Sequence, residues 1–374
     1  MFILIVAGGY PTKKHPLMGI FEYDQAKALH NAGHKVVFIS LDLQSIRRKR
    51  QLGKSFHHIE GFDIFNISFP LGNVPPSLFI TVGKLVLKSI FKDVLIKHGL
   101  PDFIHAHFTN IAAIASVLKT KYRIPLIVTE HSSLIHKDVL DKTTRTSGSL
   151  AYGNADKVIA VSQSLSKRLL HHFNIDSVVV NNIVDLETFH HKPQEHSHFQ
   201  FISVGNLLHV KGFDLLIKAF SKLEEANLRL LIVGEGPERS KLQKLIDDLS
   251  LGDQVHLPGR KTRSEINELM NKSDAFVLAS RAETFGVVYI EAMAAGLPVI
   301  ATRCGGPDEF VNKSNGILVP VNDIISLSEA LSKIKNNIEY YDRKFISEQC
   351  RSKFSPGTIA NQLIKEYEKI IKKQ

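Results

Sequence analysis

The stretch Arg281–Thr302, RAETFGVVYIEAMAAGLPVIAT, decides how the chain folds. Thr284-Phe285-Gly286 is a turn that can open a helix, and Ala-Ala-Gly-Leu-Pro ends that helix before an apolar run of strand length. A loop, a helix and a buried strand in that order predict parallel α/β structure. Glu283 then stands in the loop, and Glu291 lies a turn or two inside the helix. Carboxylates at those places suit hydrogen bonds to sugar hydroxyls. The free backbone N–H groups of Phe285, Gly286 and Val287, at a helix start, suit a phosphate between them. That combination describes a nucleotide-sugar.

The same alternation runs outward in both directions. Residues 2–7, 35–41, 103–106, 125–129 and 157–161 read as buried strands, with helices at 20–32, 109–120 and 163–172. Residues 200–204, 228–233, 255–257, 275–278, 298–301 and 317–319 repeat the pattern. Helices fall near 212–222, 238–249, 263–270, 286–295, 325–335 and 358–372. The expectation is two doubly wound, Rossmann-like domains over 1–187 and 199–357, joined by a polar, His-rich linker at 188–198. Ligands should lie at the carboxyl ends of the strands, in the cleft between the domains.

Bulk properties agree with a 374-residue, two-domain globular protein, 44% hydrophobic and 22% charged. No apolar stretch reaches the ~18 residues of a membrane span. The MFILIVA start reads as a strand, not as a signal peptide. Two distant cysteines, Cys304 and Cys350, offer no metal-ligand spacing and point to a reducing, cytoplasmic compartment. The net charge of +10 is concentrated in residues 1–190, which hold 22 Lys and Arg against 14 Asp and Glu. A solvated basic surface, an anionic acceptor, or peripheral contact with an anionic inner membrane fits that excess; nucleic acid is the weakest partner, for want of any recognition motif. Lys84, Lys88 and Lys92 form a stripe opposite an apolar face within 73–100, a helix that packs on the sheet or lies on lipid. Arg47-Arg48-Lys49-Arg50 reads as a solvated basic loop.

Several constellations carry chemistry. Gly8-Gly9 follow the first strand, with Gly19 before the next helix, and allow close approach to a phosphate or sugar. His105 and His107 share a strand face and can converge with Glu130 or His131, either as a sugar-binding edge, as a zinc site, or as hydrogen-bonded core. In the second half, Gly205 precedes Lys211-Gly212, where a lysine can reach a diphosphate. Gly234 and Gly236 form a second glycine loop, and Gly259-Arg260 end a short strand where a base can rest.

Taken together these residues resemble the family-four glycosyltransferases of the GT-B fold. The carrying motifs are HAHF (105–108), TEH (129–131), ADKVIAVS (155–162), VVNNIVDLETF (179–189), SVGNLLHVKGFD (203–214), VGEGPE (233–238) and SRAETFGVVYIEAMAAGLPVIATRCGG (280–306). GGYPTKKHPLMGIFEYDQAKAL, at 8–29, is similar to members that build bacterial surface polysaccharides such as capsule or lipopolysaccharide. The resemblance implies that the second domain holds the nucleotide diphosphate-sugar donor, a UDP-sugar or its GDP or ADP counterpart, and that the first holds a glycan or lipid-linked acceptor. It makes Lys211, Glu283 and His107 catalytic, with Lys211 on the diphosphate, Glu283 on the donor sugar and His107 beside the transferred sugar. It places Glu291 on the ribose and Phe285, Gly286 and Val287 on phosphate. Gly8, Gly9, Gly205, Asn206, Gly234, Gly236, Gly259, Arg260 and Arg281 complete the donor lining, and Gly19 and His131 face the acceptor. Transfer of a hexose-type sugar with retention, without a cofactor or metal, is expected, and the final helix (358–374) should cross back onto the first domain. Asn206 stands where the family carries arginine, so either Arg260 or Arg281 supplies the missing phosphate cation or turnover is reduced. A nucleotide-sugar epimerase or hydrolase of the same shape, or a non-catalytic nucleotide-sugar-binding partner, is the alternative.

Overall fold

The computed structural model describes residues 1–43, 52–72, 74–192, 194 and 198–372. The Arg47–Arg50 cluster lies outside the described residues. The chain forms two compact units, Met1–Ile183 with Pro356–Gln374, and Val184–Ser355.

The first unit is built on an eight-stranded sheet of β1 (Phe2–Ala7), β2 (Lys35–Asp42), β3 (Gly53–Ile59), β4 (Phe62–Ser68), β5 (Phe103–His107), β6 (Leu126–Glu130), β7 (Lys157–Ala160) and β8 (Val178–Val179). Their order is β3-β4-β2-β1-β5-β6-β7-β8, parallel except for β3 against β4. β1, FILIVA, is buried throughout, as a central parallel strand covered on both faces must be. Connections run one way from β1 to β2 and the other way to β5. This topological switch point puts Gly8 and His107 side by side at the carboxyl ends of the strands. β3, GKSFHHI, escapes the apolar reading because it is a mostly exposed edge.

The helix Pro356–Ile371 returns to this unit. Ile359, Ala360, Leu363 and Tyr367 are buried in one core with Ile3 and Ile5 of β1. The lysine-striped segment is the helix Pro76–His98, and Val86, Leu87, Ile90, Phe91 and Val94 of its apolar face are buried. Lys92 stays on the outside with Leu85 and Ile96, 62% and 86% exposed. No described helix is long and apolar enough to cross a membrane.

The second unit has six parallel strands: β9 (Phe199–Val204), β10 (Leu228–Val233), β11 (Val255–Gly259), β12 (Ala275–Leu278), β13 (Val299–Thr302) and β14 (Gly316–Val319). The order β11-β10-β9-β12-β13-β14 sets its switch point between β9 and β12. The loops after those two strands carry Lys211 and Glu283. Part of the stretch expected as a linker is tied down here: the backbone N–H groups of His190 and Lys192 donate to the side chains of Asn267 and Asn271 at 3.2 and 2.6 Å.

Candidate functional site

In the second unit the loop after β9 tightens into a short turn at His209–Lys211 and then reverses at Gly212. Gly212 has φ of 68°, and a Cβ there would lie 1.9 Å from the carbonyl oxygen of Ala279, so only glycine lets this loop sit against the end of β12. The consequence is that Lys211 meets Glu283: Nζ to Oε1 is 2.5 Å. Ser280 Oγ donates to the same carboxylate oxygen at 2.8 Å. Glu283 is itself pinned through its backbone, which accepts from Gly306 at 3.0 Å.

Phe285 plugs the loop into the core against Phe310 and Phe354. The helix Val287–Ala294 starts immediately after, capped by Gly286. The backbone N–H groups of Phe285, Gly286 and Val287 donate to no acceptor among the described residues. A cation, a carboxylate and open amides thus share one switch point, the arrangement that holds an anionic ligand with hydroxyls beside its charge.

Glu291, on that helix, faces Arg263 at 3.3 Å; Arg263 in turn lies 3.6 Å from Asp185 and over the ring of Phe189. Burial raises the Glu291 carboxyl above its ordinary range, and the Arg263 guanidinium opposes it. The glycines expected in the donor lining also pack backbone on backbone. Gly234, with φ of 154°, lies so close to Gly205 that a Cβ would be 1.9 Å from its carbonyl oxygen, and Gly236 packs on the Leu207 carbonyl. Gly234 also donates to the Gly259 carbonyl at 3.0 Å. These glycines lock the loops after β9, β10 and β11 to one another.

Arg281, one of the two residues expected to replace the arginine missing at Asn206, has protein partners of its own. Its guanidinium grips Asp214 through two bonds of 2.9 Å and donates to the His209 carbonyl at 2.6 Å. Asn206 and Arg260 are both exposed.

The first unit gathers His105, His107 and His131, all buried, into a stack. Ring centroids are 4.4 Å apart for His105–His107 and 5.4 Å for His107–His131. His107 Nδ1 is 3.1 Å from His131 Nε2. His105 and Glu130, two of the residues weighed as zinc ligands, have protein partners. Both ring nitrogens of His105 are bonded, to Tyr367 and Thr129 at 2.6 and 2.7 Å. Glu130 turns away and accepts four bonds: from Thr109 Oγ1 (2.7 Å), Tyr152 OH (2.6 Å) and the amides of His131 (2.9 Å) and Ser132 (2.6 Å). No described group of His, Cys, Asp and Glu is arranged to hold a metal. Gly9 and Gly19 pack backbone on backbone, and Gly8 lies against Ile111.

The family described as Glycosyl transferases group 1 matches residues 185–348, and that described as Glycosyltransferase Family 4 matches 18–188. An uncharacterized glycosyltransferase of Methanocaldococcus jannaschii is 31% identical over 276 residues, 70% of this chain and 76% of that protein. The chain belongs to the family-four glycosyltransferases. A second relative of this glycosyltransferase, N-acetyl-alpha-D-glucosaminyl L-malate synthase of Bacillus anthracis, is 26% identical over 370 residues, 94% of this chain and 92% of the relative. Anabaena HepE, solved in complex with UDP-glucose, has a TM-score of 0.76 at 19% identity and covers 99% of this chain and 100% of its own. That likeness is one of fold, two Rossmann-like units of the GT-B type.

Ser280, Arg263, Thr129 and Tyr367 were not foreseen as site neighbours in this glycosyltransferase. Ser280, three residues before Glu283, could have been read from the turn; Tyr367 could not, standing 262 positions from His105.

The histidine stack gives a pH prediction. Burial lowers His105 and His131 to about 3 and His107 well below its usual value. In the unfolded chain each titrates near ~6.5, so the unfolded state binds more protons in between. Stability from the stack is complete above about pH 6.5 and is lost as pH falls toward the folded values, with a limiting slope of about 4 kcal/mol per pH unit for three histidines. Melting temperatures should therefore drop steeply between about pH 6 and 5; a flat profile would mean the stack is charged or hydrated when folded.

Proposed function

We propose that this glycosyltransferase moves a hexose-type sugar, with retention and without a metal, from a nucleotide diphosphate-sugar to a polysaccharide or lipid-linked acceptor. The observation that carries the reading is the meeting of Lys211, Glu283 and the open amides of Phe285–Val287 at one switch point. In this reading Lys211 and the amides neutralise the leaving diphosphate, the work a divalent cation does elsewhere. Glu283 passes from Lys211 to the donor sugar's hydroxyls, and Glu291 anchors the ribose. UDP-glucose in the Anabaena structure and the glucosaminyl group in the Bacillus relative's name support a hexose-type donor. The basic first half, with Lys92, Leu85 and Ile96 on an outer helix face, supports work at the cytoplasmic face of a membrane.

Calorimetry with UDP-, GDP- and ADP-glucose in EDTA tests this. One of them should bind, and Glu291→Ala should weaken it roughly 10–100-fold, the range for a hydrogen bond to a charged group. Binding that requires Mg²⁺, or an unchanged affinity in the variant, would contradict the reading. A nucleotide-sugar-binding role without transfer has one observation on its side, the exposed Asn206 with Arg281 engaged by Asp214. Donor binding with no sugar delivered to a membrane or glycan extract would favour it.

A further inference from the structure

The first unit contains a cavity of about 400 Å³ that none of the roles above uses. It lies at the carboxyl ends of β2 and β4, beside β3, and the loop after β1 walls it with Tyr10, Thr12 and Lys14. The volume is that of a small-molecule site.

The floor is one sheet face, and its pattern changes part-way along. Val36 and Phe38 of β2, with Phe62 and Ile64 of β4, belong to the apolar core. Two residues further on, the same alternation brings Ser40 and Asp42 beside Asn66 and Ser68. Ser40 pairs with Asn66, and Asn66 with Ser55 of β3, so hydroxyl, amide and hydroxyl stand in register across three strands. A face that is apolar where it supports the fold becomes polar where it lines the cavity.

The fold itself gives Ser40 nothing to do. It is fully buried, and its hydroxyl has no hydrogen-bond partner among the described residues. Buried polar groups are rarely left so, because the lost hydration is not returned. Its neighbours already hold each other: Asn66 Nδ2 donates to Ser55 Oγ at 3.2 Å, and His57 Nε2 lies 3.2 Å from the same oxygen. The Tyr10 ring, 5.8 Å from that of His57, adds a flat apolar wall. The lysines of the lining do not converge on an anion, since Lys54 turns to Asp93 at 2.7 Å and Lys14 stands exposed. Small hydroxyl and amide groups beside an aromatic wall suit an uncharged polyol better than a phosphate.

We propose that this cavity binds a sugar residue of the acceptor, with Ser40 and Asn66 bonding its hydroxyls and Tyr10 covering its apolar face. This rests on the transfer reading above and narrows the acceptor to a glycan recognised through its hydroxyls. The test uses the full chain and methyl glycosides of glucose, galactose, mannose and N-acetylglucosamine, followed by saturation-transfer NMR, with nucleotide affinity measured in parallel. At least one glycoside should bind at millimolar concentration. Ser40→Val and Tyr10→Ala should each weaken it about tenfold, the worth of a good hydrogen bond or ring contact, and leave nucleotide affinity unchanged. Ser40→Ala, which removes only the oxygen, is the second variant should valine disturb folding. If no glycoside binds, or binding survives these substitutions, the proposal is overturned. Glycoside binding by a chain that takes no nucleotide would instead overturn the transfer reading and, with it, the assignment of the bound sugar to an acceptor, leaving only a sugar site.

Discussion

Lys211→Ala is expected to lower the turnover of sugar transfer roughly 10²–10³-fold, the loss seen when one preorganised charge-stabilising group is removed. The lysine reaches its place because Gly212 reverses the loop against Ala279, and it is held there by Glu283 at 2.5 Å. Arg281 is bound to Asp214 in this structure, and position 206 is asparagine. The variant should fold, because Lys211 is partly exposed and Glu283 keeps its bond from Ser280. The fall should appear in kcat more than in KM, since charge builds on the diphosphate as the sugar leaves. Full activity in Lys211→Ala with a donor that binds would remove the lysine from the diphosphate.

The second large effect is on stability. Glu130→Ala leaves the amides of His131 and Ser132 and the hydroxyls of Thr109 and Tyr152 without their shared acceptor, in a fully buried position. Thr109 and Tyr152 can still bond each other at 2.9 Å, but the two amides cannot. Orphaned buried donors cost ~1–3 kcal/mol each, so a loss of roughly 3 kcal/mol or more is expected. For a unit of this size that lowers the melting temperature by about 10 °C. Glu130→Gln, which keeps an acceptor for the amides, should retain most of the stability. Equal melting of wild type and Glu130→Ala in a thermal denaturation series would show that the carboxylate is not holding the end of β6.

How far the sequence could be read followed from the physics of each element. β1 and β12 were visible because a parallel strand buried on both faces is commonly an unbroken apolar run, and FILIVA and AFVL are such runs. β3 was hidden because an exposed antiparallel edge needs no apolar run. The site was legible wherever its parts are close in the chain: Glu283, Phe285, Gly286 and Glu291 come from one loop and one helix. It was not legible where partners meet through the sheet. Nothing in the sequence around Arg281 says that Asp214, 67 residues earlier, will take its guanidinium. HAHF and TEH suggested a convergence that His105, His107 and His131 do make, but nothing in them says that Tyr152 will take Glu130 and Tyr367 will take His105. The glycines were recognised as points of close approach, and Gly234 and Gly236 are approached by backbone of the same unit.

The return of the helix Pro356–Ile371 to the first unit has a consequence for synthesis. Ribosomal emergence ordinarily lets the amino-terminal domain fold first. Here Val184–Ser355 is complete on its own residues, while the core around Ile3 and Ile5 still awaits Ile359, Leu363 and Tyr367. The half made first is therefore finished last. A chain cut before residue 356 would keep every residue of the second unit but leave a first unit whose β1 and His105 lack their cover.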